Sequence, residues 1–187
     1  MVENDSIDRS EYRKQKGLVM VYTGTGKGKT TAALGMLMRA WGQDMKLAMI
    51  QFIKHEKSRY GEVRAADKMG VEWHVMGDGW TWTSKDMEQT IQRGVEGWEK
   101  AKELILSCNY DIIVLDEFTY PLHFGWLEVS DVVTWLKANK PEMLHLVITG
   151  RDAPAELVAY ADLVTEMREI KHPFSEQKIL AQPGVDF

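Results

Sequence analysis

Residues 19–31 read Val-Met-Val-Tyr-Thr-Gly-Thr-Gly-Lys-Gly-Lys-Thr-Thr, and no other stretch restricts the fold as strongly. A short apolar, partly β-branched run enters a glycine-rich turn. The turn opens into Ala32, Ala33, Leu34, Leu37 and Met38, an apolar set at helical spacing. The pattern predicts a strand over 18–22, a loop, and a helix over 29–40. Glycines let successive backbone N–H groups curl inward without Cβ clashes. Those amides and the positive end of the following helix form a cradle for an anion. Gly24, Thr25, Gly26, Lys27, Gly28, Lys29, Thr30 and Thr31 are therefore the candidate phosphate-binding set. Lys29 supplies the main charge and Lys27 a second one, while the Thr30 hydroxyl is placed for a magnesium ion. The common form of this loop is G-x-x-x-x-G-K-[ST]. Counting back from Gly28, its first glycine position holds Thr23, and Gly24 comes one residue late.

Such a loop needs an acidic partner at the end of another buried strand. Residues 112–117, Ile-Ile-Val-Leu-Asp-Glu, provide it, so Asp116 and Glu117 join Thr30 as metal candidates. The remaining chain alternates. Strand-like segments are expected over 46–53, 71–76, 111–116, 144–149 and 163–170. Helix-like segments are expected over 59–69, 86–108, 130–139 and 154–160. Thr83 with Asp86 is read as the start of the long helix, and Ser130 as the cap of the next. Strands alternating with helices imply βαβ units, hence an α/β fold with a mainly parallel sheet covered on both faces. At 187 residues the chain suits one domain, taken as 17–187. The mixed-charge residues 1–16 are read as either a disordered tail or an arm that orders over a partner subunit or a ligand.

Twenty-eight acidic against 23 basic residues give a net charge of −5, the wrong sign for a chain whose main task is gripping nucleic-acid backbone. The N-terminus lacks the apolar core of a signal peptide, and no apolar run approaches bilayer length. Cys108, a single cysteine, excludes an internal disulfide and suits a reducing compartment. A soluble cytoplasmic protein with neither nucleic-acid nor membrane partners is the expectation. Histidines 55, 74, 123, 145 and 172 show no paired metal-ligand spacing, so magnesium is the only metal implied.

Three further segments bear on the site. Met76-Gly77-Asp78-Gly79-Trp80-Thr81-Trp82-Thr83 places two tryptophans in a loop between a strand and a helix. They either pack on the domain surface or form a platform for a large flat ligand. Arg151 follows a strand end on the ligand side of a parallel sheet, where it either reaches phosphate or ribose or is a plain surface arginine. Residues 171–187 read by composition as a tail. Among the other tryptophans, Trp41, Trp98 and Trp135 are expected to pack from helices, Trp73 is placed on a strand, and Trp126 is given no role.

Taken in order, Thr23 through Ala33, Gln51-Phe52-Ile53-Lys54, Gly79-Trp80-Thr81-Trp82, Leu115-Asp116-Glu117-Phe118-Thr119-Tyr120, Ile148-Thr149-Gly150-Arg151, Lys171-His172-Pro173-Phe174 and Ala181-Gln182 with Gly184 resemble the P-loop class of ATP:corrinoid adenosyltransferases. The resemblance runs from about Gly17 to the C-terminus and includes the unusual loop spacing. It implies a RecA-like fold, ATP as co-substrate and a reduced corrinoid as acceptor. It also implies a homodimer and an electron donor such as a flavoprotein for the cobalt. Trp80 and Trp82 would pack against the corrin ring, with Trp80 standing where family members often carry Phe. Lys29 and Glu117 would complete the catalytic set, with Arg151 among the nucleotide contacts. A P-loop ATPase or kinase cleaving at phosphorus is the rival reading, with Glu117 orienting the nucleophile. A nucleotide-binding regulator or corrinoid carrier is a third.

Overall fold

The computed structural model describes residues 15–55, 61–77 and 87–186. Six strands form one wholly parallel sheet in the order β3-β2-β4-β5-β1-β6. They are β1 (Val19–Thr23), β2 (Leu47–His55), β3 (Glu72–Gly77), β4 (Ile112–Asp116), β5 (His145–Thr149) and β6 (Leu163–Glu166). Helices α1 (Lys29–Trp41), α2 (Gly61–Met69), α3 (Met87–Leu106), α4 (Thr119–His123), α5 (Val129–Asn139), α6 (Ala155–Tyr160) and α7 (Pro173–Gln177) alternate with them or follow them. The α/β reading is met, and each predicted strand core is present.

Side chains alternate between the two faces of each strand, and two cores result. Met20, Leu47, Met49, Ile112, Val114 and Val147 face α1 and α2, meeting Ala33, Leu37, Ala40 and Ala66. Val19, Val21, Ala48, Ile50, Phe52, Ile113, Leu115, Leu146 and Ile148 face the other way, against Trp98, Ala101, Leu104 and Ile105 of α3 and residues of α4, α5 and α6. All five residues of β4 are buried, as expected of a central parallel strand covered on both sides. Trp98 stacks on Phe118 with centroids 5.3 Å apart and meets Trp135 edge-on at 5.4 Å. Trp126 lies against Gly94 of α3, where a Cβ would come within 2.7 Å of its ring.

Several boundaries differ from the sequence reading. The last strand stops at Glu166 rather than reaching 170, because its partner β1 ends at Thr23 and turns into the glycine loop. Residues 119–123 form the short helix α4, unmarked in sequence because Pro121 and three aromatics within 118–124 blur any period. The segment read as a tail holds α7, opened by Pro173 in its first turn and by His172, whose Nδ1 accepts the Phe174 N–H. Ser130 is not the cap of α5, since the helix begins one residue earlier, with Glu128 in the flanking position. Trp41 is not a packing residue: it ends α1 and is 49% exposed. Residues 1–14, Thr83 with Asp86, and the Trp80–Trp82 pair lie outside the described residues. From Lys16 onward the chain is tied down. The Lys16 ammonium pairs with Asp162, and the Gly17 N–H donates to the Glu142 carbonyl at 2.7 Å. Among the described residues no helix is long and apolar enough to cross a membrane.

Candidate functional site

The carboxyl ends of β4, β5 and β1 lie side by side in the sheet, and each delivers a polar residue to the same edge. β1 runs out at Thr23, and the glycine loop carries the chain across to α1. Two loop glycines are indispensable for physical reasons. Gly24 sits at φ +95°, and a Cβ there would fall 2.5 Å from the Met167 carbonyl oxygen; a Cβ on Gly26 would meet the backbone of Arg168 at 2.8 Å. The strand end after β6 therefore packs flat against the loop, and the Gly26 N–H donates to the Met167 carbonyl at 2.7 Å. Gly28, at φ +106°, is the N-cap of α1 and offers no side chain to the first-turn amides. Such amides are the usual donors to a bound anion.

Lys29 folds over this loop. Its ammonium donates to the Gly24 carbonyl at 2.8 Å and the Gly26 carbonyl at 2.7 Å. Burial lowers its pKa below the ordinary lysine value, and the Arg151 guanidinium lowers it further, while Glu117, Asp116 and Asp152 pull the other way. Arg151, itself exposed, thus stands close enough to share the field of Lys29. Lys27 projects from the outer side of the loop, where its ammonium pairs with Asp186 near the C-terminus. Thr25 is exposed at the loop tip and Thr31 at the outer side of α1.

Thr30 turns inward. Its hydroxyl donates to Asp116 Oδ1 at 2.8 Å, so the start of α1 is joined to the end of β4. The Thr149 hydroxyl, from the end of β5, donates to the same oxygen at 2.7 Å. The other carboxylate oxygen, Oδ2, accepts from the Gln51 amide at 3.1 Å. Asp116 is fully buried, and a buried carboxylate needs such donors to offset its lost hydration. Glu117 follows at φ +61°, an uncommon conformation for a residue with a side chain. Its N–H donates to Thr149 Oγ1 at 2.9 Å, which holds it there. Gly150 and Thr119 complete the wall. A Cβ on Gly150 would come within 2.0 Å of Thr119 Oγ1, and that hydroxyl donates to the Arg151 carbonyl at 2.5 Å.

The structure brings together Gly24, Gly26, Gly28, Lys29, Thr30, Asp116 and Glu117, with Arg151 at the margin. Sequence reasoning gave no role to Thr149, Gln51 or Trp73. The available signal was their register. An amide inside apolar β2 and a hydroxyl ending apolar β5 stand on the same sheet face as Asp116, since Gln51 pairs with Asp116 and Leu115 with Ile148. Among the described residues no three His, Cys, Asp or Glu side chains converge as a metal cage. Thr30 Oγ1 and the Asp116 carboxylate are nonetheless hard oxygen donors of the kind magnesium takes beside substrate phosphates.

A parallel sheet whose first strand runs through a glycine loop into a helix, with a buried aspartate ending a strand two places away, defines an α/β fold of the phosphate-loop type. Within that class the chain belongs to the ATP:corrinoid adenosyltransferase family BtuR/CobO/CobP, whose model matches residues 15–187. It is 43% identical over 176 residues to a corrinoid adenosyltransferase of a Sinorhizobium species, covering 92% of this chain and 81% of that protein. Identity to a corrinoid adenosyltransferase of Pseudomonas aeruginosa is 38% over 181 residues, 95% of this chain and 87% of the relative. Another, from Salmonella typhimurium, is 34% identical over 185 residues, 98% of this chain and 93% of the relative.

Proposed function

We propose that this protein transfers the 5′-deoxyadenosyl group of ATP to the Co(I) of a reduced corrinoid, in adenosylcobalamin biosynthesis or salvage. The observation that carries the reading within the family is the joint made by Lys29, Thr30 and Asp116: a loop lysine and a helix-start hydroxyl meeting a buried carboxylate. In the reaction the cobalt lone pair forms the Co–C5′ bond as the C5′–O bond breaks. The electron pair leaves with triphosphate. No proton has to be removed, so the protein needs no general base. Its work is to hold two large ligands in line and to stabilise the departing charge.

Each residue has a part in that work. Backbone amides of the loop and of the first turn of α1, apart from the Gly26 N–H that the Met167 carbonyl already holds, face the phosphates, and Lys29 leaves its two carbonyl partners to meet a phosphate oxygen. Arg151 adds positive charge at the rim. Thr30, Asp116 and Glu117 are the residues that would hold a magnesium ion, which when bound supplies positive charge against the leaving triphosphate. Trp80 and Trp82 are assigned to the corrin face on the family resemblance. The same resemblance supports a homodimer, residues 1–16 ordering over the active site, and cobalt reduction by a donor such as a flavoprotein, while the single cysteine, Cys108, supports a reducing, cytoplasmic location.

Product analysis by 31P NMR tests the reading. Incubation with ATP, magnesium and chemically reduced cobalamin should yield triphosphate. Accumulation of ADP and phosphate instead would identify an ATPase or kinase, and ATP binding without turnover would identify a regulator or carrier.

A further inference from the structure

Gln51 is a polar residue in an apolar strand. Its neighbours on the same face, Leu47 and Met49, are core residues, and Gln51 itself is 1% exposed. An amide buried so deeply must be hydrogen-bonded at both ends to be tolerated. One end, Nε2, donates to Asp116 Oδ2 at 3.1 Å. The other end, Oε1, accepts from the indole Nε1 of Trp73 at 3.1 Å. Trp73 lies on β3, two rungs below the residue paired with Gln51, and leans across to it.

The chemistry of this chain of bonds is one-directional. An indole N–H can only donate. Trp73 therefore forces the amide oxygen of Gln51 toward β3 and its NH2 toward β4. A carboxylate can only accept, so this is the one amide orientation that serves Asp116. Oδ2 is fixed by Gln51, and Oδ1 carries the Thr30 and Thr149 hydroxyls. The carboxylate plane is thus held from both sides, and the Gln51 side is set from β3.

We propose that Gln51 and Trp73 are positioning residues for the metal-binding carboxylate, fixing the rotation of Asp116 so that the oxygen shared with Thr30 faces the nucleotide. The inference rests on the reading above that Asp116 helps to hold the divalent ion. It extends the functional unit across three adjacent strands, from β3 through β2 to β4.

The test compares Trp73→Phe, which keeps the ring and deletes only the N–H, with Gln51→Leu, which keeps the volume and deletes the amide. Asp116→Asn serves as reference. Two affinities are measured for each full-length variant by calorimetry: for Mn2+·ATP, and for ATP in EDTA. Loss of an outer hydrogen-bond partner of a metal ligand ordinarily weakens metal affinity about 10- to 100-fold. Both relay variants should therefore bind Mn2+·ATP about 10-fold more weakly than wild type while binding ATP in EDTA unchanged. Equal weakening of both affinities would mean a merely structural role and overturn the proposal, as would no change in either. If Asp116→Asn weakens Mn2+·ATP binding and the relay variants do not, the relay alone falls. If Asp116→Asn also leaves it unchanged, the metal reading falls and the relay with it.

Discussion

Thr149 ties the two acidic residues of the site together, and deleting its hydroxyl should be felt in both stability and chemistry. Its Oγ1 donates to Asp116 Oδ1 at 2.7 Å and accepts from the Glu117 N–H at 2.9 Å, and the residue is fully buried. Thr149→Val keeps the shape and removes both bonds. A hydrogen bond to a charged group contributes about 1.5–3 kcal/mol and a neutral one about 1 kcal/mol, so the loss should be about 2–4 kcal/mol. For a chain of this length each kcal/mol moves Tm by roughly 2–4 °C, giving a drop of about 5–15 °C. Thr149→Ser is the control. It keeps the hydroxyl and loses one methyl, at about 1 kcal/mol. Glu117 is held at φ +61° by the same hydroxyl, so the valine variant should also lose adenosylation when assayed well below its Tm. Urea unfolding and initial rates on both variants decide the matter. A valine variant within 1 kcal/mol of the serine variant, with equal turnover, would refute the argument that this hydroxyl organises the site.

Lys29→Ala removes the loop ammonium and should lower ATP affinity by about 10- to 100-fold, measured by calorimetry; unaltered affinity would remove the phosphates from this loop. Trp82→Ala should leave ATP binding largely intact and sharply reduce adenosylation. Unchanged turnover with a Co(II) substrate under reducing conditions would sink the corrin assignment. Asp162 carries an acid-stability prediction. The Lys16 ammonium, followed by the Val19 N–H, holds its carboxyl below the usual aspartate range. A depressed folded pKa contributes stability above the unfolded value, and that stability is lost as pH falls through the folded one. Asp162→Asn should thus be less stable than wild type at pH 7, and the gap should close below about pH 4; a gap that persists at pH 2 would contradict this linkage.

The parallel sheet and the loop were legible because their signals are local. Four aliphatics before Asp116 cannot be anything but a buried strand here, and a strand–glycine–Lys-Thr–helix sequence admits few backbones. Thr30 and Asp116 stood out in the sequence because a phosphate loop calls for an acidic strand end, and in the structure the two side chains meet in a hydrogen bond. What the sequence withheld depends on register and on non-neighbouring strands. Gln51 and Trp73 acquire meaning only when β2 lies between β3 and β4. Thr149 acquires it only when β5 ends level with β4. The close packing of Gly24 and Gly26 on the backbone of 167–168 requires β6 to sit beside β1, a neighbour far along the chain. Trp41 misled because an apolar side chain at the last residue of a helix has no further turn to bury it.

The central claim is the bond that breaks in ATP. ATP labelled with 14C in the adenosine and 32P at the γ-phosphate, supplied with magnesium and chemically reduced cobalamin, follows both halves of the molecule at once. The account predicts 14C in the corrinoid, matched one for one by 32P in intact triphosphate. Recovery of 14C in ADP with 32P in orthophosphate, and none in the corrinoid, would contradict it.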